Sequence, residues 1–255
     1  MTPRSDVSWS ADGQIVTKRL TDPDLPYSIL GSAERAFRNE RNVNRLLLQA
    51  PPPVPTPRLV GCDRRGRRMD FEAVDGQPLG PKFPLALDRR EVGDLVILAQ
   101  RLGGYRPRRR WFRRLDVRRR LSRHVAVGLI SEEDAHLVCG AAVGLRWRFG
   151  HGDITARNVI RASDGRLVLI DWEWAGWYPA GYDLAFLWFT LIDVPGARDT
   201  ARSYVPSHLQ KSFLVSAILV NLLHLHIWTE MDRQSDTRPN HEATLATLLK
   251  DLGQG

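Results

Sequence analysis

Cysteine is almost absent from this chain. Cys62 and Cys139 are the two it has in 255 residues. That excludes a disulfide framework and points to a reducing compartment, the cytoplasm. The opening MTPRSDVSWS has no apolar core, so no secretory leader is expected there. No apolar run is long and clean enough to predict a transmembrane segment. The most apolar one, SFLVSAILVNLLHLHIW at 212–228, is short and carries Asn221, His224 and His226. It reads as a buried helix. His224 and His226 lie two apart and so diverge on a helix, and no third ligand accompanies them, which argues against zinc. The Gly-x-Ser-x-Gly elbow of many hydrolases is missing, and no internal repeat is visible.

Acid is also in short supply. Lysine and arginine number 37 against 29 aspartates and glutamates, a net charge of +8. Much of this sits in RPRRRWFRRLDVRRRLSRH, residues 106–124, with ten arginines and one acid, Asp116. Read as a helix, with Trp111, Phe112, Leu115 and Leu121 as a partial apolar face, this segment offers nucleic acid or an anionic surface a salt-sensitive contact. The favoured reading is a solvated helix face.

Five residues at fixed spacing stand out against this background: His151-Gly152-Asp153, Asn158 and Asp171. At about 5% usage per residue type, such a set recurs by chance in roughly one chain of this length in ten thousand. Their spacing is that of a kinase catalytic loop followed by a metal-binding aspartate. Asn158-Val159-Ile160 opens a short apolar piece, Ser163-Asp164-Gly165 makes a turn, and Leu167 to Ile170 form a second strand leading to Asp171. Both acids therefore belong at the mouth of one hairpin. Phosphoryl transfer needs alignment and charge cancellation more than covalent help. Asp153 is the candidate to orient and deprotonate an acceptor hydroxyl. Asn158 and Asp171 offer the oxygen ligands Mg2+ prefers.

The stretch HGDITARN, followed by IDWEWAG and YDLAFL, resembles the aminoglycoside phosphotransferase and choline kinase-like family. The resemblance implies a two-lobed α+β protein-kinase-like fold, with residues 1–76 as a small sheet-containing lobe and 77–255 as a mainly helical lobe. It implies Asp153 as catalytic base, Asn158 and Asp171 as magnesium ligands, and Asp183 as a structural anchor under the loop. Lys18 matches the strand lysine that contacts nucleotide phosphates, and Glu40 its helix partner, with Glu34 as competitor. Met69 to Gly76 resemble the hinge, where adenine would meet backbone groups near Glu72 and Val74. Glu173 and Trp177 follow Asp171 closely and could face the acceptor. The cluster Trp172, Trp174, Trp177, Tyr178 and Trp188 also reads as plain core.

One departure bears on function. Only 17 residues precede Lys18, with one glycine among them, Gly13. Kinase small lobes place two strands and a glycine-containing phosphate loop there. Residues 7–10 and 14–20 make one hairpin, and a full further strand does not fit. A late start, an abbreviated lobe or a degraded nucleotide site stand open. The expected activity is transfer of the γ-phosphoryl of ATP or GTP to a small-molecule hydroxyl. The alternatives are a pseudokinase-like binding module and an arginine-helix binder of nucleic acid. The basic balance argues against polycationic aminoglycosides.

Overall fold

The computed structural model describes residues 5–21, 32–81, 87–108, 110, 112–230 and 238–254. Apolar alternation and the Asp12-Gly13 turn pair β1 (Ser5–Trp9) with β2 (Ile15–Leu20). With β3 (Leu59–Asp63) and β4 (Arg68–Glu72) they form an antiparallel sheet ordered β1-β2-β4-β3. The single hairpin before Lys18 is thus present, and β1 is an edge of the described sheet, with Val7 and Trp9 exposed.

Helix α1 (Ala33–Gln49) starts at Ser32, whose Oγ accepts the Arg35 N–H at 3.3 Å. That bond satisfies one of the orphan donors at the helix start. α1 has one apolar face but serves two cores. Ala33, Ala36 and Phe37 pack under the sheet with Leu20, Met69 and Phe71. Val43 and Leu47 join the much larger core of the helical lobe. Glu40 lies between these two anchorages.

The Pro-rich connector after α1 is a brace. Pro55 O accepts the Leu169 N–H at 2.9 Å, and Thr56 Oγ1 accepts Trp172 Nε1–H at 2.8 Å. Next comes β5 (Gly76–Pro78), which pairs with β7 (Val159–Ala162), itself paired with β8 (Leu167–Leu169). β6 (Trp147–Gly150) and β9 (Gly176–Pro179) form a third, two-stranded sheet. The other elements are helical: α2 (Arg89–Gly104), α3 (Val117–Ala126), α4 (Glu132–Ala142), α5 (Tyr182–Thr190), α6 (Ala197–Ser203), α7 (Gln210–Glu230) and α8 (Arg238–Gly253). The result is the two-lobed α+β architecture.

The apolar run at 212–228 lies in α7. The stretch Ser207–Glu230 is long and apolar enough to cross a membrane by composition, yet 78% of its most apolar window is buried inside the protein. It is the central core helix.

The arginine segment differs from its sequence reading. Only Val117–Ala126 is α-helical. Asp116 caps that helix by accepting the Arg119 N–H at 3.0 Å. Just upstream the backbone is committed elsewhere: Trp177 N–H donates to Arg113 O at 2.7 Å, and Leu115 N–H to Trp177 O at 2.9 Å. A chain holding β9 in this way cannot close helical bonds on itself. Trp111 lies outside the described residues. The C-terminal helix runs from Arg238 to Gly253.

Buried histidines in the helical lobe make stability depend on pH. Burial first, then nearby positive charge, pulls His124 down to about 3 and His241 to about 4. The unfolded chain protonates both near pH 6.5, whereas the folded chain resists until far lower. Stability is therefore full above about pH 6.5 and falls as pH drops toward 4, by up to about 1.4 kcal/mol per pH unit for each ring. Melting temperature measured from pH 7.5 to 5 should fall, and less steeply in His241→Leu. A flat profile would contradict this.

Candidate active site

The β7–β8 hairpin places Asn158 and Asp171. Its register sets Val159 opposite Leu169, and Ile170 N–H donates to Asn158 O at 2.9 Å, so Asn158 and Asp171 emerge side by side. Asn158 Nδ2 donates to Asp153 O at 2.9 Å and to Asp153 Oδ2 at 3.0 Å. That orientation turns the Asn158 amide oxygen away from Asp153.

Asp171 has φ +66° and ψ +65°, the left-handed region. Only one other non-glycine among the described residues, Arg67, has positive φ. Such a conformation costs about 1 kcal/mol or more and marks a position set by its surroundings. It delivers the carboxylate to Lys18, whose Nζ lies 2.8 Å from Asp171 Oδ1 and 2.8 Å from Glu40 Oε2. Glu34 lies instead on the exposed side of α1, 3.8 Å from Arg38.

Burial works against the Lys18 charge, but Asp171, Glu40 and Glu173 outweigh it and hold the amine above its ordinary value. Burial also works against the Asp171 carboxylate, and Lys18 outweighs that too, keeping it below the usual carboxylate range. For Glu40 burial dominates and pushes the carboxyl up despite Lys18. Ligand oxygens of Glu40, Asp171 and Glu173 lie within 4.8 Å of one another. One ammonium faces three carboxyl groups there.

The loop carrying Asp153 is fixed from below. His151 N–H and Gly152 N–H each donate to one oxygen of Asp183, both at 2.9 Å. His151 Nε2 lies 2.9 Å from Ile170 O, and Asp153 N–H approaches His151 Nδ1 at 3.3 Å. A neutral ring protonated on Nε2 satisfies both contacts and ties the loop to the strand before Asp171. Gly152 has φ +83°, and a Cβ there would meet Tyr178 Oη at 2.5 Å. Only glycine fits that turn.

The other candidates are spread out. The exposed Glu72 carboxylate pairs with Arg58, at 2.9 Å from its Nε. Ala73 N–H is used by Gln14 O, at 2.8 Å. Val74 follows on the connection to β5. Glu173 is half-buried beside Asp171, and its backbone O accepts Asn39 Nδ2–H. Trp177 is buried in the core with its ring edge-on to Phe149, at a centroid distance of 6.4 Å. Its neighbours Trp174 and Tyr178 line a cleft instead. Asn39 was not singled out by sequence, although it directly precedes Glu40. Its signal is a polar residue on the buried side of an amphipathic helix.

A family model described as "Phosphotransferase enzyme family" matches residues 27–205, most of the chain. The chain belongs to the phosphotransferase enzyme family. The match spans Glu40, the β7–β8 hairpin and Asp183, and Lys18 lies before it. Solved structures share the protein-kinase-like fold. Choline kinase LicA from Streptococcus pneumoniae is 16% identical with a TM-score of 0.68, covering 98% of this chain and 91% of that one. A choline/ethanolamine kinase family protein from Mesorhizobium loti is 14% identical at TM-score 0.68, covering 100% and 87%. Aminoglycoside phosphotransferase APH(4)-Ia, in a ternary complex with ADP and hygromycin B, is 13% identical at TM-score 0.64, covering 100% and 92%. No curated protein matches by sequence. Within the phosphotransferase family fold, the Lys18–Glu40–Asp171 group spans the two lobes, and the Asp183 bonds hold the loop that carries Asp153 against α5.

Proposed function

We propose that this phosphotransferase-family protein moves the γ-phosphoryl group of ATP or GTP to a hydroxyl of a small molecule. The observation that carries the reading is a bonded triad and a bonded pair at one hairpin mouth. Lys18 is bonded to Glu40 and Asp171, and Asn158 is bonded to Asp153. Asp153 would orient the acceptor hydroxyl and take its proton. Lys18, steadied by Glu40, would hold nucleotide phosphates. The donor set also fits Mg2+. Asp171 offers a carboxylate and Asn158 an amide oxygen, both hard ligands, and the surplus of carboxyl groups over Lys18 favours a divalent cation. When bound, Mg2+ would supply charge neutralisation at the phosphates. Adenine or guanine would meet backbone groups between Glu72 and Val74.

The acceptor is not assigned beyond a hydroxylated small molecule. An aminoglycoside fits poorly, because the cleft beside Glu173 is lined by arginines. The second reading is a binding module with a degraded nucleotide site. The observation favouring it is the β1–β2 connection, whose turn holds one glycine, Gly13.

Thermal shift with ATP and GTP, with and without magnesium, separates the two. A ligand at 100 times its Kd stabilises the native state by about 2.7 kcal/mol, or several degrees for a chain of this size. The expected result is a magnesium-dependent rise that is lost in Asp171→Ala. No rise with either nucleotide would support the binding-module reading instead.

A further inference from the structure

Six arginines line a cleft of about 140 Å3 beside Glu173. Arg35 comes from α1. Arg113 and Arg114 come from the segment paired with β9. Arg119, Arg120 and Arg123 come from α3.

Three of the six are partly committed. Arg114 stacks on Trp147 with its guanidinium carbon 3.8 Å from the ring centroid. Arg113 lies over Trp174 and reaches Trp174 O at 3.4 Å. Arg120 reaches Tyr182 Oη at 3.4 Å. Arg35, Arg119 and Arg123 form no ion pair with any carboxylate among the described residues. The acids lining the cleft are engaged elsewhere. Asp116 caps α3, and Glu173 belongs to the Lys18 cluster. The guanidiniums are close enough to matter to one another: burial, then Arg113, Arg119 and Arg123, pushes Arg35 below its ordinary value.

We propose that this cleft, which adjoins the Lys18–Asp171 centre through Glu173, binds a small phosphate-bearing ligand. Six guanidiniums against two carboxylates leave the cleft with an excess of positive charge that is costly to hold together, and a multivalent oxyanion relieves that cost. Guanidinium forks match phosphate oxygens. Arginines here approach from two sides, α1 and α3, which suits a tetrahedral group better than a planar carboxylate. Nucleic acid fits less well. The charges line a concavity, and Arg113 already lies over one face of Trp174, where a base would otherwise stack. A ligand bridging Arg35 to Arg119 and Arg123 would tie α1 to α3, one helical turn or so from Glu40.

The probes are inorganic phosphate and pyrophosphate, in magnesium-free buffer with chelator, against chloride at equal ionic strength. The protein is the full chain and its Arg35→Gln/Arg123→Gln variant. The expected result is a melting-temperature rise with the phosphates, absent with chloride, and an apparent affinity at least about tenfold weaker in the variant. A larger response to pyrophosphate than to phosphate would identify a diphosphate ligand, and the reverse a monoester. Without ligand the variant should melt no lower than wild type, because repulsion has been removed. An equal rise in chloride, an unchanged response in the variant, or a lower ligand-free melting point in the variant would each overturn the proposal. So would a short RNA that binds the cleft and is not displaced by pyrophosphate.

Discussion

Asp153→Asn is expected to cut phosphoryl transfer by about 10²- to 10⁴-fold, the usual contribution of a positioned general base. The substitution keeps the shape of the side chain and its backbone contacts. Asn158 Nδ2 can still donate to the residue 153 carbonyl, as it does at 2.9 Å. What is lost is the carboxylate that accepts a proton. Nucleotide release measured over a panel of hydroxylated acceptors, choline among them, would show the fall. The magnesium-dependent thermal shift should persist, since Lys18, Glu40 and Asp171 are untouched. Turnover equal to wild type would remove Asp153 from the role of base. Loss of both turnover and nucleotide shift would instead indicate that the loop had collapsed.

Asp183→Ala is the largest expected loss of stability, about 2–6 kcal/mol. Two buried backbone donors, His151 N–H and Gly152 N–H, each rely on one Asp183 oxygen. A buried donor left without a partner costs about 1–3 kcal/mol. Asp183→Asn retains one acceptor oxygen and should lose roughly half as much. Chemical denaturation of the three proteins would order them as wild type, Asn, Ala. If both variants matched wild type, the loop would have to be held by something other than this carboxylate. Burial pushes the Asp183 carboxyl up while the Gly152 and His151 bonds oppose it. The ionised form is therefore costly, and the two backbone bonds offset part of that cost.

What could be read from the sequence was mostly local. The hairpin that carries Asn158 and Asp171 is contiguous, with its turn written in Ser163-Asp164-Gly165 and its strands in apolar runs, so β7 and β8 lie where expected. Ser32 and the spacing of Phe37, Val43 and Leu47 likewise announce α1. Three features are non-local and were not legible. The left-handed conformation of Asp171 occurs without a glycine to signal it; the surrounding contacts impose it. The arginine run looked uniformly helical because composition does not record that residues 113–115 pair with Trp177, some sixty positions on. The cleft assembles Arg35 with arginines nearly eighty positions away, so no window of sequence contains it. Trp177 followed Asp171 closely in sequence but points into the core, as alternation along β9 allows.

The double anchorage of α1 has a mechanical meaning. Phe37 belongs to one core and Val43 to the other. They stand six residues apart, about 9 Å along the axis, with Glu40 midway. If one lobe rocks against the other, this short span of helix is the fulcrum, and displacement grows with distance from it. β1, at the far edge of the sheet, swings furthest. Glu40 travels least, so its grip on Lys18 can outlast a rotation wide enough to let a nucleotide in and out.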